Sequence, residues 1–191
     1  MNATLQPGKK VWTEAELEAL PDDGYNHEVV DGELVLSPKS NFQHGDICTR
    51  LLAALYGFTR QHKLGVVCDS STGFWMNNLN CRAPDISFIS KARLQGKKRP
   101  DKAFFQGAPD LAVEVLGGHW TRQEINERLK DFFASGTRLA WIIDPESESA
   151  EVCHSPTVRR LVGPGGVLDG ENVVPGFRLN LAELFQEWDW D

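Results

Sequence analysis

No run of apolar residues in this chain approaches the roughly 20 that a membrane helix needs, and Met1 to Lys10 holds no apolar core of signal-peptide length. Both absences predict a soluble protein with no membrane partner. Cysteine is sparse, and Cys48, Cys68, Cys81 and Cys153 include no Cys-x-x-Cys pair, so their spacing suggests neither a zinc site nor a disulfide framework. Reduced thiols fit a cytoplasmic location. Low-complexity tracts and repeats at solenoid spacing are missing too, which confines expected disorder to frayed ends over residues 1–10 and 187–191. Positive charge is in short supply: the net charge of -7 argues against a strong non-specific hold on nucleic acid. One stretch runs against that balance. Lys91, Arg93, Lys97, Lys98, Arg99 and Lys102 stand together against a single acid, Asp101, and read as a solvated surface loop.

What is present has the usage of an ordinary globular protein, with 41% hydrophobic and 25% charged residues. The 191 residues suit one domain over 1–191. Thr13 with Glu16 is a capping box and opens a short predicted helix from Glu14 to about Leu20. In the segment from His27 to Leu36, Asp31-Gly32 separates two apolar runs, a strong hairpin signal. Apolar residues at Ile47, Leu51, Leu52, Leu55 and Phe58 predict a long helix from about Phe42 to His62, with His44 near the middle of its apolar stripe. Strands are predicted over Val66–Asp69, Gly73–Met76, Asp85–Ile89, Leu111–Leu116 and Leu139–Asp144. A helix opened by the capping box Thr121/Glu124 and ended by Gly136 joins the last two as parallel neighbours, so the sheet should be mixed. Glu151–His154, Val158–Val162 and Val173–Leu179 read as short terminal strands and Leu181–Phe185 as a last helical turn.

Strand geometry sorts the acids that can meet. Asp110 and Glu114 point to one face of the same strand but lie about 13 Å apart, too far to share an ion. Asp85 opens a separate strand that can lie beside Glu114, bringing together two hard oxygen ligands of the kind magnesium accepts. A carboxylate at Glu114, inside an otherwise apolar strand, needs a reason to be there, because burying it unpaired is costly. Asp110 and Asp144 read as strand-end acids, and Trp141 as core.

Several segments taken together carry a resemblance. Pro84-Asp85, then residues 86 to 113, then Glu114-Val115-Leu116 is similar to the signature of the PD-(D/E)xK nuclease superfamily. His27-Glu28-Val29-Val30-Asp31-Gly32-Glu33, His44 opening a helix, Ala83-Pro84-Asp85, Pro109 through Leu116, Lys130, and Gly136 through Pro145 resemble the Uma-two family of candidate restriction endonucleases over roughly residues 12 to 186. The resemblance implies an α/β (α+β) restriction-endonuclease-like fold, a mixed central sheet flanked by helices. It also implies an endonuclease, a hydrolase of DNA phosphodiesters, that uses Mg2+ with Mn2+ as a substitute. Asp85, Glu114 and the Val115 carbonyl would hold the metal, while Glu28 and His44 support it.

The chain departs from the pattern twice. Leu116 stands where the superfamily has its lysine, and the resemblance assigns that role to Lys130 on the following helix, at the border of the apolar stripe. Gly117-Gly118-His119 replaces a serine-rich turn. A different class of reading is a catalytically silent nucleic-acid-binding or protein-interaction module on the same fold, and a third is a metal-dependent hydrolase of another phosphate ester. A homodimer suits an enzyme that cuts two strands.

Overall fold

The computed structural model describes residues 10 to 188 apart from 22, 38, 97–102, 118 and 119. Lys97, Lys98, Arg99 and Lys102 of the basic stretch, together with Gly118 and His119, lie outside that set. The capping box at Thr13 forms as expected and opens α1 (Glu14–Glu18). Strands β1 (Asn26–Val30) and β2 (Glu33–Ser37) pair antiparallel around Asp31 and Gly32, both at positive φ as a tight two-residue hairpin turn demands. The long helix α2 (Phe42–Gln61) starts at Asn41, whose side chain accepts the His44 N–H.

Next come β3 (Gly65–Asp69), β4 (Phe74–Trp75), β5 (Cys81–Arg82) and β6 (Ile86–Ser90). The basic stretch expected to be a loop begins as a helical turn, α3 (Lys91–Leu94), before β7 (Phe105–Gln106) and β8 (Leu111–Val115). Helix α4 (Arg122–Ala134) begins at its predicted capping box and leads into β9 (Leu139–Asp144). The chain ends in β10 (Ser149–Cys153), β11 (Arg159–Val162), β12 (Val167–Asp169), β13 (Arg178–Asn180) and α5 (Leu181–Phe185). The strand expected over Val173–Leu179 is mostly turn, because Val173, Val174 and Phe177 bond back to Gly170 and Val174 in a tight loop that buries their side chains. Strand β12, in the glycine-flanked segment before it, had no clear alternation in the sequence.

Among the described residues the main sheet has six strands in the order β11-β10-β9-β8-β6-β3, and β8 and β9 are its parallel pair. The expected mixed sheet is therefore what the chain forms. A second sheet, β2-β1-β5-β4-β7, carries the N-terminal hairpin, and β12 pairs with β13.

Alternation along β8 sets up the site. Leu111, Val113 and Val115 enter the apolar cluster beneath α2, which also holds Leu51, Leu55 and Trp141. Ala112 enters the cluster on the other face, against Ile125, Leu129 and Phe132 of α4. Glu114 follows Ala112 onto the α4 face.

A buried carboxylate and guanidinium cluster

Asp85 stands one step before β6, and the β6/β8 register, which pairs Ile86 with Val113, carries it opposite Glu114. The two acids that strand reasoning paired are thus level with one another, Glu114 on β8 and Asp85 on the bend that leads into β6. Asp85 is pinned at this end of the sheet: its Oδ2 accepts the Val115 N–H at 2.8 Å and meets His44 Nε2 at 3.2 Å. His44 sits on the first turn of α2, is 8% exposed, and has Cys48 one turn on, with Sγ 3.6 Å from Nδ1. The hydrogen bond to Asp85 raises the imidazole pKa above its ordinary value, outweighing burial, and the Val115 backbone acts in the same direction.

On the α4 face the partner of Glu114 is Arg128. Its Nε donates to Glu114 Oε1 at 2.8 Å, Nη1 to Glu28 Oε2 at 2.6 Å, and Nη2 to the Ala83 carbonyl at 3.1 Å. Glu28, from β1, also accepts the Ala83 N–H at 2.8 Å and faces Arg82 at 3.3 Å. Arg82 in turn pairs with Asp131 of α4 at 2.7 Å, and Asp131 accepts hydrogen bonds from Asn78 and Asn80. Trp120 and Phe132 flank the Arg128 guanidinium, with ring centroids 5.2 and 5.8 Å from Cζ.

This cluster is deeply buried, and its charges do not balance. Glu28, Glu114 and Asp131 face Arg82 and Arg128, one carboxylate in excess, and the half-buried Asp85, paired with His44, adds its charge nearby. The strain falls on Glu114. Burial, opposed by Arg128 but reinforced by Asp85 and Glu28, pushes its carboxyl up to about 8. Glu28 goes the other way: Arg128 and Arg82 overcome burial and hold it below the ordinary range. Arg128 stays charged, because Glu114 and Glu28 outweigh the opposing effect of burial.

Glu28, His44, Asp85, Glu114 and the Val115 backbone are thus drawn to one end of β8. Lys130 is not. It is exposed on α4 and lines a groove with Arg122, Asn126, Glu151 and Arg159. Two residues along a helix turn the side chain by about 200°, so Arg128 and Lys130 cannot share a face. The expectation that Lys130 reaches back toward the strand end is corrected on that ground, and the cation found there is Arg128.

A signal for Arg128 existed in the sequence, since it shares the helical stripe of Ile125, Leu129 and Phe132, where a charge demands a buried partner. Arg82, in the two-residue strand β5, and Asn80, just before it, gave no comparable signal. Asp110 lies at the far end of β8, accepting the Ser90 N–H near Arg93 and Arg138, and Asp144 shapes a turn through Glu146 and Ser147. Both are strand-end acids, as their positions in the sequence implied. No helix among the described residues is long and apolar enough to cross a membrane.

Comparison with known proteins agrees with this architecture. No curated protein matches the chain. A crystal structure described as that of a putative nuclease belonging to DUF820, from Anabaena variabilis, superposes with a TM-score of 0.78 over 91% of this chain and 97% of that one, at 18% identity. The shared fold is restriction-endonuclease-like, as the sequence resemblance implied. The model of the Uma2 family, described as "Putative restriction endonuclease", matches residues 14–182, a span that contains Glu28, His44, Asp85, Glu114 and Arg128. By that match the chain belongs to the Uma2 family.

Proposed function

We propose that this protein is a magnesium-dependent nuclease that hydrolyses DNA phosphodiester bonds, with Asp85, Glu114 and the Val115 carbonyl as metal ligands and manganese as a substitute ion. The observation that carries the reading is the β6/β8 register, which sets Asp85, the residue before β6, level with Glu114 near the end of β8, beside buried acids that outnumber the guanidiniums they meet. Hard oxygen donors with surplus negative charge fit magnesium, which binds such ligands at about 2.1 Å and keeps several waters. The descriptions of the family and of the Anabaena protein, both naming nucleases, point the same way.

The bound ion would supply polarisation of the phosphate and a lowered pKa for an attacking water. The chain's own residues do the rest. Asp85 is oriented by the Val115 N–H and by His44, which can hold a proton at Nε2 against the carboxylate. Glu28, fixed by the Ala83 N–H, positions Arg128. Arg128 carries a permanent charge that stabilises negative charge building on the phosphate, the role that the family resemblance gave to Lys130. Lys130, with Arg122 and Arg159, would instead contact substrate beyond the reacting bond. We further read the enzyme as a single cytoplasmic domain acting as a homodimer, one site for each strand of a duplex.

A second reading rests on the completeness of the Arg128 hydrogen bonds. Glu114, Glu28 and the Ala83 carbonyl satisfy three of its nitrogens without an ion, which suits a silent module held together by this network. Incubation with supercoiled, linear and single-stranded DNA, with magnesium, manganese or a chelator, decides between them. Cleavage that needs the ion supports the nuclease. Intact DNA of every form, from protein that binds magnesium, leaves the silent module.

A further inference from the structure

Cys48 plays no part in that proposal, yet it lies beside two of its residues. His44 and Cys48 are four apart on α2 and so share one face of the helix, the spacing by which helices present paired metal ligands. Asp85 approaches from the sheet. One donor atom from each of His44, Cys48 and Asp85 falls within 4.8 Å of the other two, with Sγ to Nε2 at 3.9 Å and Nε2 to Oδ2 at 3.2 Å. A tetrahedral zinc ion with a sulfur ligand at about 2.3 Å and nitrogen or oxygen ligands at about 2.0 Å needs donors roughly 3.3 to 3.6 Å apart, so small side-chain movements suffice. The three also line an open cleft of about 430 Å³, together with Asn41, Asp69 and Ser70, which gives an ion a way in.

The donor set is chemically distinct from that of Asp85 with Glu114. Thiolate and imidazole suit zinc and its neighbours, whereas magnesium takes oxygen. Three protein ligands with one position open to the cleft also match zinc's preferred four-coordination.

We propose that His44, Cys48 and Asp85 form a zinc site, absent from the cysteine spacing but assembled by the packing of α2 on the sheet. Binding deprotonates the Cys48 thiol, releases that proton to solvent, and takes the imidazole in its neutral form. Asp85 belongs to this site and to the proposed magnesium site, so zinc and magnesium exclude one another; the exclusion, unlike the zinc site itself, rests on the nuclease reading. Zinc then silences cleavage.

The test uses the full chain with its thiols reduced, titrated with cobalt(II) as a spectroscopic stand-in for zinc. One equivalent should produce a thiolate-to-cobalt charge-transfer band in the near ultraviolet, which zinc bleaches and which is absent in Cys48→Ser but kept in Cys68→Ser. Alkylation of the unmutated chain gives a readout free of any folding defect in the variants: zinc should protect Cys48, and not Cys68, from iodoacetamide. No cobalt band in the parent, a band unchanged in Cys48→Ser, or no zinc protection of Cys48 each overturns the site. Failure of the nuclease reading shows separately, as intact DNA with magnesium while the cobalt band persists.

Discussion

Asp85 Oδ2 accepts the Val115 N–H at 2.8 Å, which fastens the turn before β6 to the last residue of β8 and holds the acid opposite Glu114. The same oxygen meets His44. Asp85→Asn can keep the bond to Val115 through its amide oxygen but removes the charge. The His44 pKa, raised chiefly by Asp85, should then fall towards its ordinary value, and magnesium binding should weaken. Titration of the histidine ring signals by NMR checks the first point and calorimetry the second. A His44 pKa that stays raised in the variant sinks the electrostatic account of this pair.

Proton and metal compete for Glu114. Its carboxyl titrates at about 8 in the folded chain against an ordinary value of 4.5, so between those values the folded state holds a proton that the unfolded state has lost. Stability of the metal-free chain should therefore decline from this group as pH rises from about 4.5 to 8. Magnesium affinity should rise over the upper part of the same window, since the ion needs the carboxylate. Denaturant midpoints measured without metal, paired with calorimetric titrations at about pH 6, 7 and 8, report both trends; flat magnesium affinity across that series counts against them.

Arg128 and Lys130 should separate cleanly. Arg128→Met strips the counter-charge from Glu114 and Glu28 together, a loss of about 3 to 5 kcal/mol for a broken buried pair. Arg128→Lys keeps the charge but not the three-way fork, and should lose less. Lys130→Met, on the exposed face, should stay within about 0.5 kcal/mol of the parent. Urea unfolding ranks the three. In the folded fraction, cleavage by Arg128→Lys should drop roughly 100-fold, the scale for a misplaced transition-state charge, while Lys130→Met should alter only the salt dependence of DNA binding.

The Thr121/Glu124 capping box is far from the acids in sequence but holds the start of the helix that carries Arg128. Thr121→Ala removes the acceptor of the Glu124 N–H and should cost about 1 kcal/mol. Circular dichroism melts measure it, with no change expected in the shape of the pH dependence. A larger effect on cleavage than on stability would mean that the first turn of α4 contributes to the site directly.

Periodicity and capping made much of this protein readable. The Asp31-Gly32 hairpin, the long helix after Asn41, the strand around Glu114 and the capped helix after it are local decisions, written in turn residues, 3.6-residue stripes and short apolar runs. The same local rules placed Asp85 and Glu114 on different strands and excluded Asp110 as a partner. Short strands such as β5, β7 and β12 were not readable, because two or three residues hold no period and their pairing comes from whichever neighbour packs against them.

What the sequence by itself determined, then, was the kind of elements and the two acids that could face each other. Tertiary structure decided the cation's partners. The helical stripe marked Arg128 as a charge in need of a buried partner, and the docking of α4 on the sheet supplied Glu114 and Glu28 as those partners and left Lys130 in solvent. The meeting of Cys48 and His44 with Asp85 is likewise a product of packing, since the residues lie 41 positions apart in the case of His44 and Asp85 and no linear spacing encodes their approach. Local stereochemistry acts over a few residues, whereas a buried charge takes its partner from whatever the folded chain brings within about 3 Å, where desolvation makes that partner obligatory.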